Sequence, residues 1–383
     1  MIKLLIGGSP CTYWSIAQTR NRETTASGAG WELFKNFLIA KEKFKPDFFL
    51  YENNVSASPL IKAQIKTELN VYDGTFFMTD TGVRYIEINS ALVSAQNRER
   101  FYVHNCGNVK QPADRGIFIF DILDSCGTPI NTLKSNKARC VTSGYCHKTA
   151  AHILESNYSE NPNKQKWDCV AVPINITSDG KARTIKAQYN NTGIANLISN
   201  GGFLASGVAI KTSERATDNP NLTGKDSLSI KRVYSVKNKK ITIKGRRYDI
   251  ELPDGNYKFR KLSVSECCRL QTIPDDYCRV LSESRAYKCV GNAWTKDVII
   301  HILQSALNNI DKNEEIIVLS MYDGIGTGRL CLSEMGFNKV RYYAYEIDKY
   351  AIKVAQSNFP DIIQCGDAFA VRDSSWKLKG VAL

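Results

Sequence analysis

Short apolar runs that end in glycine or polar residues recur along this chain and predict buried strands. Residues 3–6 form the first run, and Gly-Gly-Ser-Pro follows it, so a tight loop should carry Cys11 away from the strand. Residues 47–51, DFFLY, form a second run that leads into the polar residues 52–54. Ligands of open α/β sheets bind at the carboxyl ends of the strands. We therefore expect Cys11 and residues 52–54 at one edge of a sheet.

Helical periods alternate with these runs. Residues 31–44 repeat apolar side chains at helical spacing and a proline follows them, which predicts an amphipathic helix. Residues 263–271 predict another helix, in which Ser263 and Glu266 have the spacing of a capping box. A third helix is expected over residues 295–307. Strands that alternate with helices predict an α/β protein.

A glycine-rich turn near the carboxyl end stands in a specific context. The predicted strand 316–322 runs directly into DGIGTG at residues 323–328, and a helix should follow the glycines. The next predicted strand, 341–345, ends at Glu346, 22 positions after Gly324. An acidic residue at that distance is typical of nucleoside-binding turns, where it holds the ribose hydroxyls. Further strands are predicted at residues 85–88, 101–103 and 361–364.

The middle of the chain differs in character from both ends. Residues 104–257 are rich in Asn, Ser, Thr and Gly and contain short β-like runs without a long helical period. We predict that they form a separate, smaller, mainly β domain. Residues 1–103 and 258–383 would then build the larger α/β domain together.

The composition is that of an ordinary globular protein, with 43% hydrophobic and 23% charged residues among 383. No apolar stretch approaches the roughly 20 residues of a membrane span, and residues 1–6 are too short for a signal peptide, so we expect a cytoplasmic protein. The twelve cysteines include no CxxC pair, and the four histidines show no metal-ligand spacing. We expect reduced thiols and no metal site.

The charge of the chain is unevenly distributed. The formal net charge is +13, and residues 104–258 hold 23 Lys and Arg against 13 Asp and Glu. A basic excess interleaved with Tyr, Asn and Gly favours a polyanionic partner over a merely solvated face.

Cys11 is a candidate nucleophile. A free cysteine is usually a small buried hydrophobic residue, so position alone proves little. Pro10 fixes the backbone just before the thiol, and a nucleophile needs such a fixed direction.

Several motifs along the chain together carry a resemblance to a known family. They are SPC at 9–11, EN at 52–53, QNRER at 96–100, RKLSVSECCRLQTIP at 260–274, GNAW at 291–294, DGIGTG at 323–328, Glu346, and GDA at 366–368. These motifs resemble those of the DNA (cytosine-5) methyltransferases, which use S-adenosylmethionine. The resemblance covers most of the chain outside residues 104–257. It implies a Rossmann-like S-adenosylmethionine-dependent methyltransferase domain and a mainly β target-recognition domain.

The resemblance implies a covalent mechanism on cytosine. Cys11, as a thiolate, would add to C6 of a cytosine that has left the helix, because C5 is otherwise too weak a nucleophile. Glu52 would contact N3 and the exocyclic amine, while Arg98 and Arg100 would bind or orient the ring. Taken singly, Glu52 could cap a helix and the arginines could form salt bridges. Four polar motifs at predicted strand ends are harder to attribute to packing.

The resemblance also assigns binding residues. The product of the cofactor would be S-adenosylhomocysteine, and no metal is implied. The cofactor residues would be Tyr322, Asp323, Gly324, Gly326, Thr327, Gly328, Glu346, Ile347, Asp367, Ala368, Asn292 and Trp294. The residues that bind the base or double-stranded DNA would be Pro10, Asn53, Gln96, Arg139, Arg183 and Arg260, of which Arg139 and Arg183 occupy matching places in the similar stretches 137–145 and 181–189.

The order of the motifs departs from that of the family. Members normally begin with the glycine-rich loop and reach the Pro-Cys loop later, whereas here Cys11 comes first and Gly324 comes late. The order predicts a circularly permuted chain whose two ends lie close together on one sheet.

Two other functions remain open. Methylation of cytosine in transfer RNA is one, although the large basic middle region favours duplex DNA. A catalytically inactive member that only binds DNA is the other, although Cys11, Glu52 and Gly324 are all present. We expect a monomer in a bacterial or phage-infected host cell. A restriction endonuclease that acts separately is a possible partner.

Overall fold

The computed structural model describes most of the two ends of the chain and parts of its middle. Two compact units are present, Met1–Asn89 with Glu99–Pro112 and Ala293–Leu383, and Ser90–Arg98 with Ala113–Asn292. We call them the first unit and the second unit. The described residues are 1–15, 22–74, 79–124, 138–139, 170–174, 207–212, 233–243, 246–249, 254–378 and 380.

The strands of the described residues fall at the apolar runs of the sequence. Each predicted strand is confirmed, and most extend one to three residues further than the apolar run alone indicates. In chain order they are β1 Ile2–Gly7, β2 Phe48–Asn54, β3 Arg84–Asn89, β4 Gln96–Asn97, β5 Glu99–His104, β6 Ala138–Arg139, β7 Val170–Ile174, β8 Gly207–Thr212, β9 Val233–Lys237, β10 Lys240–Ile243, β11 Arg246–Asp249, β12 Gly255–Lys261, β13 Ile316–Met321, β14 Val340–Tyr345 and β15 Ile363–Gly366.

The helices follow the predicted periods and add some that the sequence did not indicate. The three predicted helices are confirmed, and the first already begins at Gly28. The helix that starts at Pro59 went unnoticed because only Ile61 and Ile65 in it are buried, too few for a visible apolar period. The helices are α1 Gly28–Phe44, α2 Pro59–Glu68, α3 Ile119–Ile122, α4 Val264–Leu270, α5 Glu283–Asn292, α6 Lys296–Leu307, α7 Thr327–Glu334 and α8 Lys349–Asn358.

A seven-stranded sheet in the order β15-β14-β13-β1-β2-β5-β3 organises the first unit. Only β5 runs against its neighbours, since it pairs antiparallel with both β2 and β3. Every residue of β13 is buried, as expected for a parallel strand that is covered on both faces. The carboxyl ends of β1, β2, β13 and β14 therefore meet at one edge of the sheet.

Helix α1 supplies much of the apolar cover of this sheet. Its residues Trp31, Phe34 and Phe37 are nearly or fully buried. The rings of Phe34 and Phe37 approach the Tyr51 ring edge-on, with centroids 5.1 and 5.0 Å away. Burial of such aromatic side chains fixes β2 beneath the helix.

The second unit contains a six-stranded antiparallel sheet in the order β11-β10-β9-β12-β8-β7. Its core includes Val236, Ile241 and Tyr257, each no more than 1% exposed. The capping box of α4 forms as the sequence predicts, since Ser263 Oγ accepts from the Glu266 N–H at 3.1 Å and Glu266 Oε2 accepts from the Ser263 N–H at 2.6 Å. The boundaries and the recognition role expected for residues 104–257 stay predictions.

Within the part of the chain that the structure describes, no helix has the length and apolar character needed to cross a membrane.

Candidate active site

The chain passes from β1 into the loop that carries Cys11 through Gly7 and Gly8. No larger side chain fits at either position, because neighbouring backbone lies too close. A Cβ on Gly7 would lie 2.6 Å from the Met321 carbonyl oxygen, and a Cβ on Gly8 would lie 2.5 Å from that of Glu52. Both distances are far inside van der Waals contact. Cys11 then opens a single 3-10 turn and has a free, exposed thiol. Gly7 thus lies against β13, and Gly8 brings the start of this loop directly onto β2.

A buried polar cluster fixes the residue two positions before the thiol. Ser9 Oγ and the Tyr51 hydroxyl are 2.7 Å apart, and the Asn53 amide donates to the Ser9 carbonyl at 2.9 Å. Burial raises the pKa of the Tyr51 phenol well above its usual range, so its proton stays in the cluster. Asn53, expected to bind the substrate, is 1% exposed and anchors the loop that carries Cys11.

Glu23 fastens the other side of the same loop. Its backbone N–H donates to the Tyr13 carbonyl at 2.9 Å, and its carboxylate accepts from the Trp14 indole N–H at 3.1 Å. The same carboxylate accepts from the Gly30 N–H, near the start of α1, at 3.1 Å. Trp14 is fully buried. The short turn after Cys11 is therefore tied to the helix that covers the sheet.

Glu52 lies at the carboxyl end of β2 with only 9% of its surface exposed. Its Oε1 is 3.0 Å from Arg100 Nε, in an ion pair whose two side chains are both almost buried. Its Oε2 accepts from the Trp294 indole N–H at 3.1 Å. Two donors from distant parts of the chain thus hold both oxygens of this carboxylate. The sequence assigned Trp294 to the cofactor and did not indicate this contact.

The two arginines of QNRER belong to different compact units. Arg100 lies in β5 of the first unit, whereas Arg98 lies in the second unit, is 4% exposed, and donates to the Gly291 carbonyl at 3.3 Å. Gln96 also belongs to the second unit and is fully buried, where it donates to the Leu270 carbonyl at 3.0 Å. Of these three residues, only Arg100 therefore lies in the compact unit that contains Cys11 and Glu52.

The glycine-rich loop follows β13 as predicted. Tyr322, Gly324 and Gly326 all have positive φ, at 61°, 65° and 78°. Glu346 stabilises this loop, because its Oε2 accepts from the Gly324 N–H at 2.8 Å. Its Oε1 accepts from the Ile347 N–H, also at 2.8 Å. The carboxylate expected to hold a ribose thus stands directly beside the turn.

Asp323 is a buried carboxyl beneath this turn. Its Oδ1 accepts from the Tyr342 hydroxyl at 2.6 Å and lies 2.7 Å from Ser320 Oγ. Burial raises the pKa of the Asp323 carboxyl to about 6, and the charge of Glu346 acts in the same direction. Among the described residues, its Oδ2 has no hydrogen-bond partner, and the same holds for the buried Thr327 Oγ1.

The surface around the turn has space and apolar side chains. A Cβ on Gly324 would meet nothing within 4 Å among the described residues. Ile347 and Phe369 are 73% and 43% exposed, and they follow the carboxyl ends of the paired strands β14 and β15. Asp367 accepts from the Phe369 N–H at 2.9 Å. Exposed apolar side chains at the ends of these strands, together with the carboxylate of Glu346 that is expected to hold a ribose, suit a nucleoside. Phe369 was not singled out from the sequence, although it lies two residues after Asp367.

The Tyr322 hydroxyl is engaged with helix α1. It donates to the Leu33 carbonyl at 2.7 Å and accepts from the Asn36 amide at 3.1 Å. Arg372 Nε donates to Asn36 Oδ1 at 2.6 Å. Burial raises the pKa of Tyr322 to about 12. These contacts hold the residue that begins the glycine-rich loop.

The remaining predicted residues are placed as follows. Pro10 is exposed next to Cys11, Asn292 is exposed at the end of α5, Ala368 is buried, and Gly328 lies in the first turn of α7. Arg139 lies in β6 and Arg260 in β12, and only the backbone of these two residues is described. Arg183 lies outside the described residues. In the ranges that are described, no group of three or more His, Cys, Asp or Glu side chains could hold a metal ion.

The sheet and the turn define a class of protein. A mainly parallel open sheet with a glycine-rich loop at one strand and an acidic residue at the end of the next is the architecture of nucleoside-binding α/β domains. The chain belongs to the C-5 cytosine-specific DNA methylase family, whose model matches residues 1–308. A comparison with curated proteins finds no significant match. The glycine-rich loop lies beyond the matched residues, so its role is argued from its own geometry.

Proposed function

We propose that this chain is a DNA (cytosine-5) methyltransferase that modifies a specific sequence of duplex DNA. One observation carries the proposal within the family assignment. A nearly buried carboxylate, Glu52, is held by Arg100 and Trp294 immediately beside the loop that presents the exposed thiol of Cys11. A fixed acid next to an exposed nucleophile is the arrangement that addition to a cytosine ring requires.

The proposed role of Cys11 is to form a bond from Sγ to C6 of the cytosine. The electron pair of the C5–C6 double bond then moves toward C5 and the ring, which makes C5 nucleophilic. Once C5 has bonded to the methyl group that the cofactor would supply, loss of the C5 proton to a base and cleavage of the C6–S bond restore the C5–C6 double bond and the thiolate. Ser9, Tyr51 and Asn53 support this step, because they fix the backbone that leads into Cys11.

Glu52 is proposed to hold N3 and the exocyclic amine of the same base. Negative charge develops on the ring as the thiolate adds, and a proton shared between N3 and the Glu52 carboxyl group would neutralise it. That carboxyl group is already oriented by Arg100 and Trp294, so it needs no reorganisation. The target base must leave the duplex to reach a side chain that is 9% exposed.

The residues of the glycine-rich turn fit S-adenosylmethionine. The fit is supported by the open space at Gly324, the carboxylate of Glu346, the exposed side chains of Ile347 and Phe369, and the unsatisfied buried oxygen of Asp323. Glu346 would bind the ribose hydroxyls, and the two apolar side chains would contact the adenine. When bound, the cofactor supplies an electrophilic methyl group.

Covalent trapping on duplex DNA tests the proposal. The unmodified protein, incubated with cofactor and duplexes that contain 5-fluorocytosine, should form a covalent complex, because fluorine cannot leave C5 as a proton does. Cys11→Ala should abolish both trapping and methylation while DNA affinity persists. Cys365→Ala, which changes a half-buried thiol in β15, is the matched control and should behave like the unmodified protein. Trapping that survives Cys11→Ala, or methylation of RNA alone, would contradict the proposal.

Conversion sequencing of host DNA after expression would give the methylated motif.

We also infer that the chain is circularly permuted relative to the usual family order. Counted from β13, the strand that enters the glycine-rich loop, the sheet has the order 3-2-1-4-5-7-6. This continues the doubly wound order 3-2-1-4-5, with the switch point between β13 and β1. The strand order thus supports a doubly wound sheet in which this chain begins at the strand that is fourth when counted from β13.

A further inference from the structure

The hairpin formed by β9 and β10 in the second unit has two turn residues with a left-handed backbone conformation. Lys237 and Lys240 form its closing pair, and Asn238 and Lys239 are the two turn residues. Both turn residues have positive φ, at 51° and 56°. Two consecutive left-handed residues define a type I′ turn, the form that matches the twist of a hairpin.

The residue types of this turn work against that conformation. Asparagine suits the first position, but the second position favours glycine, because a lysine there has a Cβ that the left-handed region disfavours. Like charges directly opposite each other on paired strands, as at Lys237 and Lys240, also destabilise a hairpin. Strained residues that persist in a fold are candidates for function.

The hairpin is nevertheless well anchored. Val236 and Ile241, which pair across the two strands next to the turn, are 0% and 1% exposed. Lys237, Lys239 and Lys240 are all exposed. A buried base therefore supports a turn that presents positive charge to solvent.

We propose that this hairpin contacts the phosphate backbone of duplex DNA. The proposal rests on the proposed function, which makes duplex DNA the substrate. The contact is assigned to the exposed lysines at and beside the turn, Lys237, Lys239 and Lys240. A lysine on a turn acts as a point charge that neutralises a phosphate and reads no base, so it adds affinity without sequence preference.

Lys239→Gly should raise the stability of the fold and weaken duplex binding. A loss of binding in this variant can therefore not be caused by unfolding. Glycine removes the Cβ from the left-handed position, so the melting temperature should rise. Loss of one phosphate contact should weaken duplex binding about fivefold to tenfold near 0.1 M salt and reduce the salt slope by about 0.9. The methylated sequence should stay the same. Lys239→Asn, which removes the charge but tolerates the left-handed region, should weaken binding equally.

Lys339→Gln is the matched control for loss of one charge. Lys339 is exposed and directly precedes β14, at the amino edge of the first unit's sheet, opposite to the edge of Cys11. It should leave duplex affinity and the salt slope unchanged. An unchanged duplex dissociation constant in Lys239→Gly, an equal loss in Lys339→Gln, or an effect on RNA binding alone would overturn the proposal.

Two measurements on the same proteins, duplex binding and cytosine methylation, separate this proposal from the proposed function. Fluorescence anisotropy with duplex DNA reports the hairpin contact whether or not methyl transfer occurs. Hairpin-dependent binding without any cytosine methylation would refute the proposed function alone. Methylation by the unmodified protein together with hairpin-independent binding would refute the hairpin proposal alone.

Discussion

The indole N–H of Trp294 lies 3.1 Å from Oε2 of Glu52, although 242 positions separate the two residues in the chain. Arg100 Nε holds the other oxygen at 3.0 Å. Because one donor binds each oxygen, the carboxylate can neither rotate nor tilt without losing a charge-assisted hydrogen bond. The orientation of the candidate acid therefore depends on a residue that the sequence assigned to cofactor binding.

Trp294→Phe should show whether Trp294 orients Glu52 or binds the cofactor. Phenylalanine keeps an aromatic ring but removes the N–H, and loss of a hydrogen bond to a charged group costs about 1.5 to 3 kcal/mol. We expect kcat to fall by about tenfold to a hundredfold while the dissociation constant of S-adenosylmethionine changes little. Single-turnover methylation and calorimetric titration measure these two quantities.

Trp376→Phe provides the control, since the Trp376 indole N–H donates to the Tyr345 hydroxyl at 2.6 Å and not to Glu52. It should leave kcat unchanged. A weakened cofactor affinity with normal kcat in Trp294→Phe would instead assign this residue to the cofactor.

Asn53→Asp should disturb the loop that carries Cys11. The Asn53 amide donates to the Ser9 carbonyl at 2.9 Å, and a carboxylate in its place would put two buried acceptors against each other. We expect a loss of about 1 to 3 kcal/mol in the free energy of unfolding and slower trapping by 5-fluorocytosine DNA. Denaturant titration and trapping rates test this, with the exposed Asn313→Asp as control. Trapping at the normal rate would show that this cluster does not position the thiol.

Glu346→Gln should weaken cofactor binding at least tenfold, since an amide cannot replace a carboxylate that accepts from both Gly324 and Ile347 and still bind ribose hydroxyls. Duplex affinity should stay close to normal. Calorimetric titration with S-adenosylmethionine gives the first quantity and anisotropy the second. Glu68→Gln, an exposed position at the end of α2, should alter neither. An unchanged cofactor affinity in Glu346→Gln would refute the ribose role.

Asp323 should make stability depend on pH. Its pKa is raised from 3.8 to about 6 in the folded chain, so the folded state binds the proton more tightly than the unfolded state does. The stability that the protonated carboxyl contributes is fully present below pH 3.8 and is lost as the pH rises through about 6. A shift of about two units corresponds to about 3 kcal/mol at most.

Asp323→Asn removes this titration. Between pH 4 and pH 7 the free energy of unfolding of the unmodified protein should therefore fall relative to that of the variant, by up to about 3 kcal/mol. Urea titrations across this range measure the difference. Parallel pH profiles for the two proteins would show that the carboxyl does not titrate there.

The inferred permutation can be tested by reversing it. Joining Leu383 to Met1 through a short flexible linker and reopening the chain near Lys312 should restore the usual motif order. The opening lies between α6 and β13, in a polar segment where few backbone hydrogen bonds are lost. The rearranged protein should methylate the same sequence. Soluble, folded protein that is inactive, or that methylates another sequence, would argue against the inferred order.

Local patterns in the sequence determined most of the elements of this fold. The apolar run at residues 3–6 and the breaker that follows it placed Cys11 after a strand, and the structure confirms this. The turn 323–328 and Glu346 could be linked because a glycine-rich turn and an acid at fixed spacing constrain each other along the chain. Periodicity and spacing are local properties, so they can be read without knowing which strands are neighbours.

The partners of polar side chains were decided only by the tertiary structure. Whether Trp294 meets Glu52, or Glu23 meets Trp14, depends on which strands and helices become neighbours, and no local period encodes that order. Gln96 shows the same limit, since a buried amide that donates to a carbonyl looks identical in sequence to one that binds DNA. The sequence by itself determined the elements and the chemical types at their ends. Burial and long-range packing decided which of those groups hold one another and which stay exposed, because both depend on the assembled sheet.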